Sequence, residues 1–226
     1  MTMPPIARTE RTTLKRLPKR GSYDRELVYA ILDEGLLCHV GFVVEGSPFV
    51  IPTAYWRIGD RLYLHGAPAS RMLQQLRQGV DVCVTVTLLD GLVLARSALH
   101  HSMNYRSVLI FGRAELLEGE AEKLAALDAF LDHVVPGRAT EVRPPSPAEV
   151  AGTLILAIAI EEASAKVRSG PPVDDARDME WPVWAGEVPL QMVGTQPEVA
   201  PDLRVEVPVP AYARHYARSR SSRGLA

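Results

Sequence analysis

The sequence predicts a mainly β protein with flanking helices, in which six or more antiparallel strands close, wholly or partly, into a barrel. Three observations lead there. Short apolar runs separated by Gly-containing turns fill the stretch from Leu36 to Ala114, segments of helical period stand on either side of it, and 47% hydrophobic residues in 226 suffice for a real core. Closure would remove the open edges that so many strands otherwise expose.

Residues 1–20 are polar, with a basic cluster at Lys15, Arg16, Lys19 and Arg20, and read as an arm ahead of the core. A helix follows: Leu27, Ala30, Ile31 and Glu34 recur at helical spacing, with Ser22 available as cap and Gly35 as stop. Leu37 to Val44 and Pro48 to Trp56 are strands joined through Glu45-Gly46-Ser47, and Arg61 to His65 is a third strand after the Gly59-Asp60 turn. Such short connections indicate an antiparallel meander.

A short helix from Ser70 to Gln78 precedes the β-branched run Val80 to Leu88, and two more strands follow, Gly91 to Ala95 and Arg106 to Ala114. Glu118 to Val134 is a second helix, with Leu124, Leu127, Phe130 and Leu131 on one face. Pro144-Pro145-Ser146-Pro147 breaks the chain, Ala148 to Val150 starts a helical turn, and Thr153 to Ile160 is the last strand, closed by a segment carrying Lys166 and Arg168. The core domain therefore spans 21–170, followed by an extended Pro-rich arm over 171–212 and a disordered tail over 213–226.

A net charge of −2 supplies no global attraction for nucleic acid or an anionic membrane. No run approaches the roughly 18 to 20 apolar residues of a membrane span, and the start lacks the layout of a signal peptide, so a cytoplasmic protein is expected. Cys38 and Cys83 each lie in an apolar run, outside any CxxC or Cys/His cluster, and read as free thiols.

The segment His65-Gly66-Ala67-Pro68-Ala69-Ser70-Arg71 joins a strand to a helix start. It sets a hydroxyl and a guanidinium where free backbone N–H groups and the helix dipole favour an anion such as phosphate. The competing reading is an ordinary N-cap at Ser70 with Arg71 solvated. His100-His101-Ser102-Met103-Asn104-Tyr105-Arg106-Ser107 is the densest polar cluster. Adjacent histidines on an extended segment face opposite ways and no carboxylate or thiol stands at ligand spacing nearby, so no metal site is expected. Arg106 and Ser107 could bind a phosphate or a polar ring edge; the alternative for Arg106 is pairing with a carboxylate. His39, on an apolar strand, suits a core or interface histidine better than a catalytic base. No nucleophile elbow, dinucleotide fingerprint or P-loop occurs.

Four segments taken in order carry a family resemblance: Phe49-Val50-Ile51-Pro52-Thr53, Tyr63-Leu64-His65-Gly66 leading to Ser70-Arg71, Asn104 to Gly112, and Ser164-Ala165-Lys166-Val167-Arg168. From about Thr12 to Trp184 the chain resembles the pyridoxamine 5′-phosphate oxidase-like proteins, flavin-nucleotide binders with a split β-barrel, and within them the nitroimidazole-resistance branch. The resemblance implies a homodimer that binds FMN in a groove between subunits. Val50, Ile51, Pro52 and Thr53 would meet the isoalloxazine edge, Ser70 and Arg71 the phosphate, and Tyr105, Arg106 and Ser107 the flavin or its phosphate. His65 is the candidate beside the flavin ring or substrate and the one catalytic candidate, and Lys166 matches a lysine near the cofactor. Met72 departs from the lysine that follows Ser-Arg in the family's oxidases, and the substrate-phosphate residues those enzymes carry near their C-terminus have no counterpart here.

The implied function is an FMN-dependent oxidoreductase, a reductase or oxidase, with nitro-group reduction as one version. It would act on a small molecule with NADH or NADPH as donor, and without nucleic acid or membrane partners. The hydride chemistry would belong to the flavin, which explains the lack of a catalytic dyad. The alternatives are a flavin carrier or sensor without turnover, and a haem-binding relative with His65, His100 or His101 as axial ligand.

Overall fold

Alternation along the strands builds the core. The computed structural model describes residues 3–218. Within them one antiparallel sheet holds ten strands: β1 (Gly21–Ser22), β2 (Leu37–Val44), β3 (Ser47–Ala54), β4 (Trp56–Ile58), β5 (Arg61–Gly66), β6 (Asp81–Leu94), β7 (Ser102–Leu116), β8 (Leu154–Ala159), β9 (Glu162–Arg168) and β10 (Gly186–Pro189). The helices are α1 (Arg25–Glu34), α2 (Arg71–Leu76), α3 (Glu120–Val134), α4 (Pro147–Ala151) and α5 (Ala211–Arg214). No helix among the described residues is long and apolar enough to cross a membrane.

Cys38, Val40 and Phe42 of β2, Val82, Val84 and Val86 of β6, and Val108 and Ile110 of β7 point inward. They pack with Val28, Ile31 and Leu32 of α1, which fills the barrel with its apolar stripe. A second core lies on the other face of β5 and β8, where Trp56, Tyr63, Ile155 and Ala157 meet Ala126 and Phe130 of α3. The β2–β3 hairpin turns through Glu45 (φ 50°) and Gly46 (φ 78°), two left-handed residues whose twist matches that of the strands.

The barrel is split at β7. One edge of β7 pairs with β6 over Ser102 to Arg113, while the other pairs with β9 over Tyr105 to Phe111 and with β8 over Ala114 to Leu116. Gly112 lies at the changeover, where an added Cβ would come within 3.1 Å of Ile158.

Several boundaries differ from the sequence expectation. Asp24, not Ser22, caps α1, its Oδ1 accepting from the Glu26 N–H at 3.1 Å. The expected pair of strands over 80–95 is the single strand β6, kinked by a bulge between Leu89 and Gly91. Bulges re-aim side chains: Asp90 keeps the inward direction of Val82, Val84 and Val86, and beyond the bulge the inward parity shifts, so that Val93 is buried. Glu162 to Arg168 does not close the last strand but forms β9, which pairs with β7 and β1. No turn residue marks the step at Ile160-Glu161 between the two strands.

Both terminal segments of the described residues contact the core. Ile6 is buried and its N–H donates to the Tyr23 carbonyl at 2.8 Å, while Arg11 lies over the Phe111 ring, 4.8 Å from its centroid. In the C-terminal arm β10 pairs with β6, and Val193 bridges to Ala217. Residues 213–218, the first part of the segment expected as a tail, lie against α1 and α3. Tyr216 donates its hydroxyl to the Val134 carbonyl at 2.8 Å, and Arg218 Nε donates to the Glu34 carbonyl at 3.1 Å, a cation at the C-terminal end of α1. Residues 219–226 of that expected tail, and residues 1 and 2 of the expected arm, lie outside the described residues.

Candidate functional site

The strand β5 runs into a tight loop because Ala67, Pro68 and Ala69 cannot extend it, and Ser70 then starts α2. Ser70 is extended (φ −61°, ψ 117°) and its Oγ accepts from the Leu73 N–H at 3.4 Å, so the N-cap reading is realised. A capping hydroxyl still has its own proton to donate. Arg71 is exposed, and its guanidinium lies 4.3 Å from the centroid of Phe49 in β3. Among the described residues it forms no ion pair, so its N–H groups remain available to an anion.

Phe49 belongs to a strand with a free side. Within the described residues β3 pairs with β2 alone, which leaves one edge of Val50, Ile51, Pro52 and Thr53 unpaired. Val50 is 64% exposed. Pro48 and Pro52 lack an N–H and discourage another strand from adding there, while the remaining polar backbone groups stay open to the edge of a flat ring.

His65, the residue preceding this loop, turns toward α3. Its ring packs against Phe130 at 4.6 Å and Trp56 at 5.5 Å between centroids. Burial lowers the ring's pKa, which keeps it neutral. Nδ1 of His65 and Nε1 of the fully buried Trp56 are both enclosed without a hydrogen-bond partner. Buried polar atoms are normally satisfied, so two orphans in one aromatic cluster mark a place suited to an additional group.

The remaining expected contacts stand elsewhere. Tyr105, Ser107 and Lys166 lie on the outward face of β7 and β9, with the Ser107 hydroxyl donating to the Lys166 carbonyl at 3.3 Å. Within one chain β2 and β6 separate them from β3. His39 lies exposed on this outward face.

Arg106 requires a correction. It is 2% exposed, Nε and Nη2 donate to the Asp90 carboxylate at 2.9 and 2.7 Å, and Nη1 and Nη2 donate to that of Glu34 at 2.6 and 2.7 Å. Its hydrogen bonds to Asp90 and Glu34 raise its pKa. A guanidinium committed to two carboxylates inside the barrel does not reach a cofactor on the opposite face. One signal for this was present: Glu34 recurs with the apolar positions of α1 at helical spacing, so a carboxylate falls on the inward stripe.

An antiparallel split barrel with a Ser-Arg helix start beside an open strand edge defines the class of split-barrel proteins resembling pyridoxamine 5′-phosphate oxidase. The chain belongs to the pyridoxamine 5′-phosphate oxidase family, whose profile matches residues 24–167. Among solved structures it is similar to the flavocytochrome Anf3 from Azotobacter vinelandii, with 45% identity, TM-score 0.85, and 92% of this chain and 97% of that one covered. It is also similar to the FAD and heme binding protein from Mycobacterium smegmatis, with 38% identity, TM-score 0.82, and 86% and 96% covered. A third similar structure, at 27% identity and TM-score 0.54 over 65% and 86% of the two chains, is named for 5-nitroimidazole antibiotic resistance and comes from Bacteroides thetaiotaomicron. A search of curated proteins finds no match.

Proposed function

We propose that this chain is a flavin-dependent oxidoreductase that carries haem as a second redox group. The observation that carries the flavin reading is the Arg71 guanidinium, held on Phe49 and unpaired, beside the open edge of β3. Arg71 and the Ser70 hydroxyl bind the phosphate, and the backbone from Val50 to Thr53 meets the ring edge. FAD is the form expected first, since a relative 38% identical over 86% of this chain is named for FAD and heme; FMN is the form the family resemblance implied. Bound flavin would supply hydride and single-electron transfer, with NADH or NADPH as donor and a small molecule as acceptor.

His65 would be the residue to hold the haem iron, its ring being neutral, aromatic-walled and carrying a buried Nδ1 without a partner. His100 and His101 are the alternatives; His101 Nδ1 already contacts the Ser97 carbonyl at 2.9 Å. The relative named as a flavocytochrome, 45% identical, supports the haem reading. A homodimer is proposed as well. Leu37, Val43, Val50 and Leu89 stand exposed on the outward sheet face, and a second copy there would bring Tyr105, Ser107 and Lys166 toward the partner's flavin groove.

An absorption spectrum of the purified protein tests the reading. Flavin bands near about 375 and 450 nm together with a Soret band support it. Chromatography of the released cofactors separates FAD from FMN, and a His65→Ala variant that keeps flavin and loses the Soret band assigns the ligand. A protein that binds neither added flavin nor added haem overturns it. Anaerobic bleaching by NADH or NADPH separates an oxidoreductase from a carrier, and light scattering reads the dimer.

A further inference from the structure

The turn between β6 and β7 and the segment after β9 meet at one place. His100, at the end of the helical turn Ala98–His100, lies against Asp175 and Asp178, and the three offer ligand atoms all within 4.8 Å of one another. Neither carboxylate neighbours this histidine in the sequence, since both come from far along the chain. Behind the ring stands Asp174, its side chain 1% exposed and its Oδ1 3.7 Å from His100 Nδ1. Asp174 is fixed by the Arg96 backbone N–H at 3.0 Å and by Arg96 Nη1 at 2.9 Å. His100 Nδ1 is itself buried and without a hydrogen-bond partner.

We propose that His100, Asp175 and Asp178 form a binding site for a divalent first-row transition metal, with Asp174 as the carboxylate that orients the histidine. One imidazole nitrogen and two carboxylate oxygens make a borderline to hard donor set suited to Zn²⁺ or Mn²⁺, with open positions for water. Ligands on a tetrahedral metal at about 2.0 to 2.2 Å stand roughly 3.3 to 3.6 Å apart, so the group needs to contract by at most about 1.5 Å. A ligating histidine usually directs its other ring nitrogen at a carboxylate or carbonyl. Asp174 stands 3.7 Å from Nδ1, so a shift of under about an ångström would give it that role, and a proton on Nδ1 would then leave the Nε2 lone pair for the metal.

The counter-charge in the metal-free protein is Arg177, 3.5 Å from Asp175 and 3.9 Å from Asp178, with its side chain 81% exposed. It is free to swing into solvent when a metal enters. A bound ion would clamp the segment 174–178 onto the β6–β7 turn, raising the melting temperature without involving the flavin groove.

The test titrates Zn²⁺ calorimetrically into the full chain after treatment with EDTA, and follows Co²⁺ by its visible ligand-field bands. The expected result is one strong site per chain, tetrahedral or five-coordinate Co²⁺ bands, and a higher melting temperature with Zn²⁺. His100→Gln and Asp178→Asn should each weaken Zn²⁺ at least about tenfold, while Arg177→Gln, which removes the competing cation, should tighten it. Circular dichroism of each metal-free variant checks the fold, and two ligand variants keep the test valid if one fails to fold. Binding weaker than millimolar, or affinity unchanged in both His100→Gln and Asp178→Asn, overturns the proposal.

Discussion

The guanidinium of Arg106 in β7 reaches across the barrel to the carboxylate of Glu34, the last residue of α1, with two bonds of 2.6 and 2.7 Å. Asp90, on the inward face of β6 at its bulge, takes the remaining side of the fork. Helix and sheet are thereby joined by a buried triad whose cation is almost fully enclosed.

Removing that cation should be costly. Arg106→Met leaves two carboxylates facing each other with little access to water, and the expected loss is about 3 to 5 kcal/mol. Urea unfolding measures it; a loss under about 1 kcal/mol would mean that the triad does not hold in solution.

Acid should weaken the fold before most carboxylates titrate. Burial lowers the pKa of His65; at His133 burial does the same, aided by the nearby Arg218. The unfolded chain, with histidine pKa values near about 6.5, then binds more protons than the folded one. Stability rises with pH in that window, so this contribution is fully present above about pH 6.5 and is lost as pH falls toward the lowered folded values. Urea midpoints at pH 8 and pH 5.5 read the slope, and His65→Gln should flatten it.

Gly35 admits no side chain. A Cβ there would stand 2.5 Å from the Tyr55 hydroxyl and 2.7 Å from Val86 Cγ1, and the hydroxyl is fixed by its 2.7 Å bond to the Leu32 carbonyl. Overpacking of this kind costs about 1 to 3 kcal/mol, so Gly35→Ala should lower the urea midpoint accordingly. Gly46→Ala, at a turn position with open space around it but φ 78°, tests backbone strain alone.

Ser70 and Arg71 should separate stability from binding. Ser70→Ala removes an N-cap at about 1 kcal/mol and also weakens flavin. Arg71→Ala loses only an exposed cation–π contact of about 0.5 to 1 kcal/mol, yet should weaken flavin binding at least about tenfold in a fluorescence-quenching titration. Unchanged binding in Arg71→Ala would remove the phosphate assignment.

Much of the fold was legible because its signals are local. The alternation of Cys38, Val40 and Phe42, the Glu45-Gly46 turn and the apolar face of α3 each depend on residues a few positions apart. The strand β9 was not legible as a separate element. Ile160-Glu161 carries no turn signature, and what separates β8 from β9 is a change of partner, from β5 to β1, along a stretch that holds no Gly or Pro. In the site, the Ser70 cap and the exposed Arg71 follow from the strand-to-helix junction, whereas the pairing of Arg106 depends on Glu34 and Asp90, which only the packing of α1 and β6 against β7 brings to it.

The sequence by itself determined the mainly β class, the capped start of α2 and the family, since period, cap and motif are properties of neighbours along the chain. Tertiary structure alone decided that Arg106 is spent on Glu34 and Asp90, that residues 213–218 pack on α1 and α3, and that His100 meets Asp175 and Asp178. Charges far apart in sequence become partners only when the barrel closes, because burial removes water as the alternative partner and leaves each one the neighbours that the fold provides.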